Sequence, residues 1–455
     1  MEQDRHSRGS QGGGGAPGKG RMMTADREGP SLPDRPARQG DATLDARGQA
    51  RAPAAAAAAT DPRGEDRQGS VSSFALYVHI PYCLAKCPYC DFNSYAVARW
   101  PEQRYLAALL GEMGRRAEEP PWRGTPAKTL FFGGGTPSLF APESIEAILD
   151  RADSLFGIEP GAEITLEANP GTVDRAKLEG LRRAGVNRLS VGAQSFRPAT
   201  LETLGRNHDA DQTRQAVRLA RRAGFEQLNL DLIYAVPGQT SDDVVRDVRE
   251  AVALEPDHVS AYCLTFEPGT QFHSLMKSGR LLPPSADREA DFLGAVNREL
   301  ASSAFERYEI SNYARPGCQA RHNLAYWRAE PYLGLGAGAH SFGPAGGRWR
   351  RWWNERSPER YCEAVLSGAA RLAETGEEWP EGRGLAGEFV FLNLRLQRGF
   401  ALLDFERRAG CSFGDLFSSE AARLVDAGLL RIAEGRVRLT ERGLELADSV
   451  FACFV

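Results

Sequence analysis

The sequence predicts an α/β protein: a partial (β/α)6 barrel followed by a small C-terminal α+β unit of winged-helix type. Two observations carry the barrel. Six short apolar runs recur between residues 75 and 266, each but the last followed by a helical stretch. Polar or glycine-rich residues gather at the C-terminal ends of those runs, as they do around an active site at one mouth of a parallel sheet. A third observation, helices followed by two short strands near the C-terminus, carries the smaller unit.

The elements read as follows. ALYVHI (75–80) precedes a helix near 101–118, and TLFF (129–132) precedes one from about 142. EITLEA (163–168) leads to a helix near 173–184, and RLSVGA (188–193) to helical segments up to about 223. LNLDLIY (228–234) leads to a helix near 241–254, and HVSAYCLTF (258–266) closes the series. This rhythm predicts parallel strands joined by right-handed crossovers. Six units are too few for a closed eight-stranded barrel, so an open-sided barrel is expected over 71–300, with a doubly wound sheet as the alternative. The stretch 301–380 loses the rhythm and is loop-rich and aromatic. From 381 to 455, EFVFLNLRL, ALLDFERR, AARLVDAGLL and ERGLELADSV read as helices, and RIAEGRVRLT as two strands around a Glu-Gly turn. That unit carries acids as well as arginines, and a packing or lid role is expected of it.

Residues 1–70 are of different material: GGGGAPGKG, the RPARQGDAT region and the Ala54–Ala59 run leave almost no large apolar side chains. Such an arm cannot bury enough surface to offset its ordering entropy and is expected to be disordered. Met22 and Met23 also offer an alternative start. The chain of 455 residues is 42% hydrophobic and 25% charged, with a formal net charge of -4, which gives no reason to expect a nucleic-acid partner. Eight cysteines scattered without a secretory pattern predict reduced thiols in a cytoplasmic protein. No apolar run reaches the roughly 18–20 residues of a membrane span.

Cys83, Cys87 and Cys90 form a C-x3-C-x2-C pattern in HIPYCLAKCPYCDFNSY. A disulfide uses two cysteines and a structural zinc site four ligands; His79 could be a fourth, in a suitable register. The CPYC pair could be a redox motif, leaving Cys83 unexplained. A four-iron cluster accounts for all three thiolates and leaves one iron open.

C-x3-C-x2-C with an aromatic before the last cysteine resembles the radical S-adenosylmethionine (radical SAM) superfamily, and GGGTPS (133–138) resembles that family's SAM-binding glycine segment. The resemblance implies a [4Fe-4S] cluster on Cys83, Cys87 and Cys90, whose open iron chelates the methionine part of SAM. Reduction there yields a 5′-deoxyadenosyl radical. YVHIPYC, GGGTPS, LEANP, RLSVGAQSF, LGRNH and DLIYAVPGQT together resemble the coproporphyrinogen III oxidase-like branch. By that resemblance Tyr77, Gly134 and Glu167 meet a first SAM. Tyr89, Gly135, Thr136, Gln194, Arg206 and Asp231 match positions that meet a second SAM in the oxygen-independent oxidase.

Two features separate this chain from the oxidase. CDFNSY (90–95) lacks the oxidase's fourth cysteine, and RHNLAYW (321–327) carries the H-N-x-x-Y-W mark of a haem-carrying group within the branch. The resemblance implies haem bound through His322, with Tyr326 and Trp327 beside the macrocycle, and delivery to acceptor haemoproteins. The resemblance is compatible with respiratory acceptors reached by a transient membrane visit, although no membrane anchor is visible in the sequence. His340, in GAGAHSF, is a second candidate, and Cys318 a third; Cys263, Cys362, Cys411 and Cys453 are expected to be buried thiols. The enzyme alternative is an oxygen-independent coproporphyrinogen III dehydrogenase. A non-redox alternative is a zinc-stabilised scaffold.

Overall fold

The computed structural model describes residues 71–368 and 373–455. The N-terminal arm anticipated over 1–70 lies outside the described residues.

Six parallel strands lie side by side in chain order: β1 (Phe74–Ile80), β2 (Ala127–Gly134), β3 (Ile158–Ala168), β4 (Arg188–Gln194), β5 (Gln227–Tyr234) and β6 (His258–Cys263). Helices Glu102–Arg116, Pro142–Phe156, Arg175–Arg183, Ala210–Arg222 and Ser241–Ala253 occupy the crossovers. A doubly wound sheet reverses its strand order part-way; this one does not, which settles the topology in favour of the barrel. The ends of the twelve-stranded sheet do not pair, so the barrel is open-sided.

Local chemistry sets the helix starts. Asp174 accepts from the Lys177 N–H. Asp209 and Thr240 form reciprocal capping boxes with Gln212 and Asp243, which satisfies backbone donors that the first turn leaves free. β1 is buried along nearly its whole length. Its apolar side chains join those of β2, β4 and β5 and of the surrounding helices in one core.

The sheet continues past the six strands expected. Tyr332–Leu335 pairs parallel with β1, Ala75 opposite Tyr332 and Val78 opposite Leu335. Strands His340–Ala345, Arg348–Asn354 and Glu374–Glu378 extend that edge antiparallel. At the far edge Asn312–Ala314 pairs antiparallel with β6. The loop-rich aromatic stretch therefore supplies sheet as well as loops.

The C-terminal unit has its own core, with Phe389, Phe400, Phe405, Phe413, Phe417 and Phe454 at its centre. Helices Gly382–Leu394, Leu402–Ala409 and Phe413–Asp426 precede the hairpin Leu430–Ala433/Arg436–Leu439. Glu434 and Gly435 both adopt positive φ at its turn, as a two-residue hairpin of right-handed twist requires. Among the described residues no helix is long and apolar enough to cross a membrane.

Candidate functional site

Tyr82–Cys83 pairs with Tyr95–Ala96, which closes the cysteine loop on itself just beyond β1. Lys86 Nζ pins it from within by donating to the Phe92 and Ser94 carbonyls at 2.9 and 3.0 Å. Cys83, Cys87 and Cys90 are free thiols, partly exposed, and line one cavity of about 400 Å³ at the barrel mouth. Tyr89, Gly134, Gly135, Thr136, Glu167, Gln194, Arg206 and Asp231 line the same cavity. Strands β2 to β5 and the loops behind them thus bring to one place residues that lie far apart in the chain.

Each of these side chains has a definable setting. Thr136 Oγ1 donates to Cys83 Sγ and Arg206 Nη1 to Cys87 Sγ, both at 3.4 Å. Gly134 donates its N–H to Glu167 at 3.1 Å. Burial, and then the Asp231 charge, push the Glu167 carboxyl up to about 8. Asp231 accepts from Ser190 Oγ at 2.9 Å and Asn229 Nδ2 at 2.8 Å, and burial raises its pKa as well. Gln194 holds φ at 63°, a strained conformation for a residue with a Cβ, at the end of β4. A Cβ at Gly135 would stand 2.6 Å from the Tyr82 carbonyl oxygen, so the glycine is needed for the close approach of chain to loop.

The site fits a cluster and SAM on its own chemistry. Arg206 Nε is buried without a hydrogen-bond partner beside the cysteine thiols, poised for an anionic group that the described residues do not supply. Among the described residues no three His, Cys, Asp or Glu side chains converge on a point that could hold a single ion. Thiolates spread around a cavity suit a cluster, where each meets a different iron. His79 is not placed as a fourth zinc ligand: its ring lies 2.9 Å from both Tyr77 OH and the Asn93 carbonyl, beneath Gly134. Cys263, expected as a buried thiol, lines the mouth cavity and is only partly buried; Cys411 and Cys453 are also partly buried, while Cys362 is buried as expected.

A second cavity, of about 610 Å³, shares Gly134, Glu167 and Phe92 with the first. Tyr77, Tyr326, Tyr332, Trp353, His340 and Arg356 line it. Tyr77, expected at the first SAM, therefore faces this cleft alongside Gly134 and Glu167.

RHNLAYW forms a short helix, Arg321–Trp327. Glu163 of β3 accepts from the Arg321 and His322 N–H groups, each at 2.9 Å, and so caps that helix from across the fold. His322 is buried. Thr129 Oγ1 lies 2.9 Å from its Nδ1 and Tyr326 OH 3.0 Å from its Nε2, and its ring stacks on Phe131. Burial, then the Lys128 charge, lower its pKa to about 3, so the imidazole is neutral. His322 lines neither cavity, whereas Tyr326 of the same motif lines the cleft. Cys318 lines neither.

Comparison with known proteins agrees with this architecture. The family model described as the radical SAM superfamily matches residues 77–251, and that of the HemN C-terminal domain matches 385–446. The heme chaperone HemW of Bacillus subtilis (strain 168) is 36% identical over 385 residues, 84% of this chain and 99% of that protein. The heme chaperone HemW of Escherichia coli (strain K12) is 34% identical over 386 residues, covering 84% and 98%. The chain belongs to the HemW family. A HemW-family chain and the solved Escherichia coli coproporphyrinogen III oxidase (HemN), a radical SAM enzyme, share the fold: this chain superposes with a TM-score of 0.72 at 25% identity, over 84% of its length and 90% of the oxidase chain.

Sequence reasoning missed Phe92 and Arg356 as lining of the cleft and treated His79 as a possible metal ligand. The alternation Tyr77-x-His79 in β1 was the available signal for His79, since i and i+2 share a strand face.

Proposed function

We propose that the chain is a haem chaperone of the HemW kind, which binds haem at the aromatic cleft beside the barrel mouth and hands it to acceptor haemoproteins. The observation that carries the reading is the joining of two features in one place. The mouth with its three cysteines opens beside a cleft walled by Tyr326 of the HNxxYW motif, Tyr332 and Trp353. Aromatic faces suit a planar macrocycle, and imidazole is a natural ligand for its iron. The near full-length match to chaperones named HemW supports the same conclusion.

A [4Fe-4S] cluster on Cys83, Cys87 and Cys90, with SAM at its open iron, would supply one-electron reduction and reductive sulfonium cleavage. The chain's own residues do the remainder. Glu167, with Gly134 behind it, accepts a cationic amino group; Arg206 pairs a carboxylate. Gln194 and Asp231 offer acceptors for hydroxyls. His322, expected as the iron ligand, would reach the iron only if its Nε2 parted from Tyr326.

The test is titration of the anaerobically reconstituted full chain with haem. A stoichiometric Soret shift, followed by haem appearing in an added apo-haemoprotein, is the expected result. The likeness to coproporphyrinogen III oxidase keeps one enzyme reading in view. Conversion of coproporphyrinogen III to protoporphyrinogen IX under reducing, anaerobic conditions would replace the chaperone by that enzyme.

A further inference from the structure

We propose that His340 is the residue that ligates haem iron while the Arg321–Trp327 helix stays in place, with Arg356 pairing a propionate. The proposal rests on the haem reading above and moves its iron ligand from the HNxxYW motif to the cleft.

The two candidate histidines differ in availability. Both ring nitrogens of His322 stand at hydrogen-bond distance from Thr129 and Tyr326, and the residue is 1% exposed. A metal at either nitrogen would break a buried hydrogen bond and leave a hydroxyl unpaired. His340 is exposed, lines the cleft, and its ring makes no hydrogen bond among the described residues. Its ring is set by stacking on Trp353, with centroids 5.6 Å apart and planes 27° apart. Burial of part of the ring, followed by the Arg351 charge, lowers its pKa and favours the neutral form that binds metals.

The cleft around it matches the rest of the ligand. Trp353, Tyr332 and Tyr326 provide apolar faces. Arg356 lines the same space with no ion pair among the described residues, and its charge acts on His340, which leaves the guanidinium available for a carboxylate nearby. A volume of about 610 Å³ is of the size that holds a prosthetic group. The backbone that presents His340 is rigid. Glu112, fully buried, accepts from the Gly336 N–H at 2.9 Å, Tyr361 OH at 2.7 Å and Asn354 Nδ2 at 2.7 Å, and so holds the loop that leads into His340. His322 then acts as a positioning residue, because it fixes the Tyr326 wall.

The experiment is haem titration of the full, cluster-reconstituted chain without SAM, comparing wild type, His340→Ala, His322→Ala and Arg356→Ala by visible spectra. His340→Ala is expected to weaken binding at least about tenfold and to change the Soret position, since an axial ligand is lost. His322→Ala is expected to keep the wild-type Soret position. Arg356→Ala is expected to weaken binding about threefold to tenfold without moving the Soret band, as the loss of a carboxylate partner would. A His340→Ala protein that titrates with wild-type affinity and spectrum overturns the assignment, even if its SAM binding changes. A wild-type chain that gives no Soret shift overturns the haem reading itself, and this assignment with it.

Discussion

In the barrel mouth, most functional side chains sit in or just beyond a barrel strand, Cys83 after β1, Gly134 to Thr136 at β2, Glu167 in β3, Gln194 at β4 and Asp231 in β5, and Tyr89 and Arg206 join them from loops. In the aromatic cleft residues of β1 to β3 are joined by others from a short helix, the inner strand Tyr332–Leu335, the hairpin that follows it and the cysteine loop. The mouth sets thiols and carboxylates among apolar walls; the cleft is walled by rings, with His79 engaged by Tyr77 and Asn93, the His340 ring without a hydrogen bond and Arg356 without an ion pair among the described residues. The two meet at Gly134, Glu167 and Phe92. The two lie side by side, so under the proposed function a cofactor at the mouth and haem in the cleft would share the Glu167 and Phe92 wall.

The largest effect expected is on the mouth alone. Replacing Cys83, Cys87 and Cys90 together by Ala should abolish the cluster, read as iron and acid-labile sulfide per chain, while haem still titrates into the cleft. Simultaneous loss of haem binding would join the two regions into one site.

Glu112→Ala strikes the support of the cleft. Its carboxylate is buried among the Gly336 N–H, Tyr361, Asn354 and Arg116. Removal leaves the three buried donors without their acceptor, while Arg116 keeps Glu119 and Glu374, and should cost about 3 kcal/mol in denaturant unfolding. Haem affinity should fall with it.

Glu167 is shared by both regions, and its titration reports on the mouth. Its folded pKa of about 8 lies above the ordinary carboxyl value of 4.5. The contribution to stability is therefore fully present below the unfolded pKa and is lost as pH rises through about 8. Binding of a cationic amino group favours the ionised carboxylate and releases a proton. SAM affinity should therefore rise with pH and level off above about 8, by at most about tenfold per unit. Glu167→Gln should flatten both profiles, measured by unfolding and by calorimetry in buffers of different ionisation heat. A wild-type affinity independent of pH would place the ammonium elsewhere.

The smallest effect tests the seam behind the cleft. Tyr326→Phe removes the hydroxyl that engages His322 Nε2 and should cost about 1 kcal/mol of stability. It should also make His322 easier to expose, so a second ligand signature in the haem spectrum of this variant would support opening of the motif helix.

The strands of the barrel were legible because each is a run of apolar residues and the first five lead into crossover helices, a local pattern that survives without tertiary knowledge. The glycine segment and the cysteine triplet were legible for the same reason. The extra parallel strand Tyr332–Leu335 was not: it is four residues long, contains Gly334, and is fixed by pairing with β1 across more than half the chain. The helix Arg321–Trp327 was read as loop because no adjacent side chain caps it; its cap is Glu163 of β3. The motif letters H, N, Y and W identified the family but gave no sign that His322 is enclosed and that Tyr326 faces the cleft. Burial and partner choice at that position depend on Thr129 and Phe131 of β2, which no local pattern contains.

The most direct test loads the anaerobically reconstituted full chain with one equivalent of haem and mixes it with an apo-haemoprotein. The account predicts a Soret band characteristic of the bound chain that gives way to that of the acceptor. A chain that shows no Soret change with haem, yet converts coproporphyrinogen III, would contradict it.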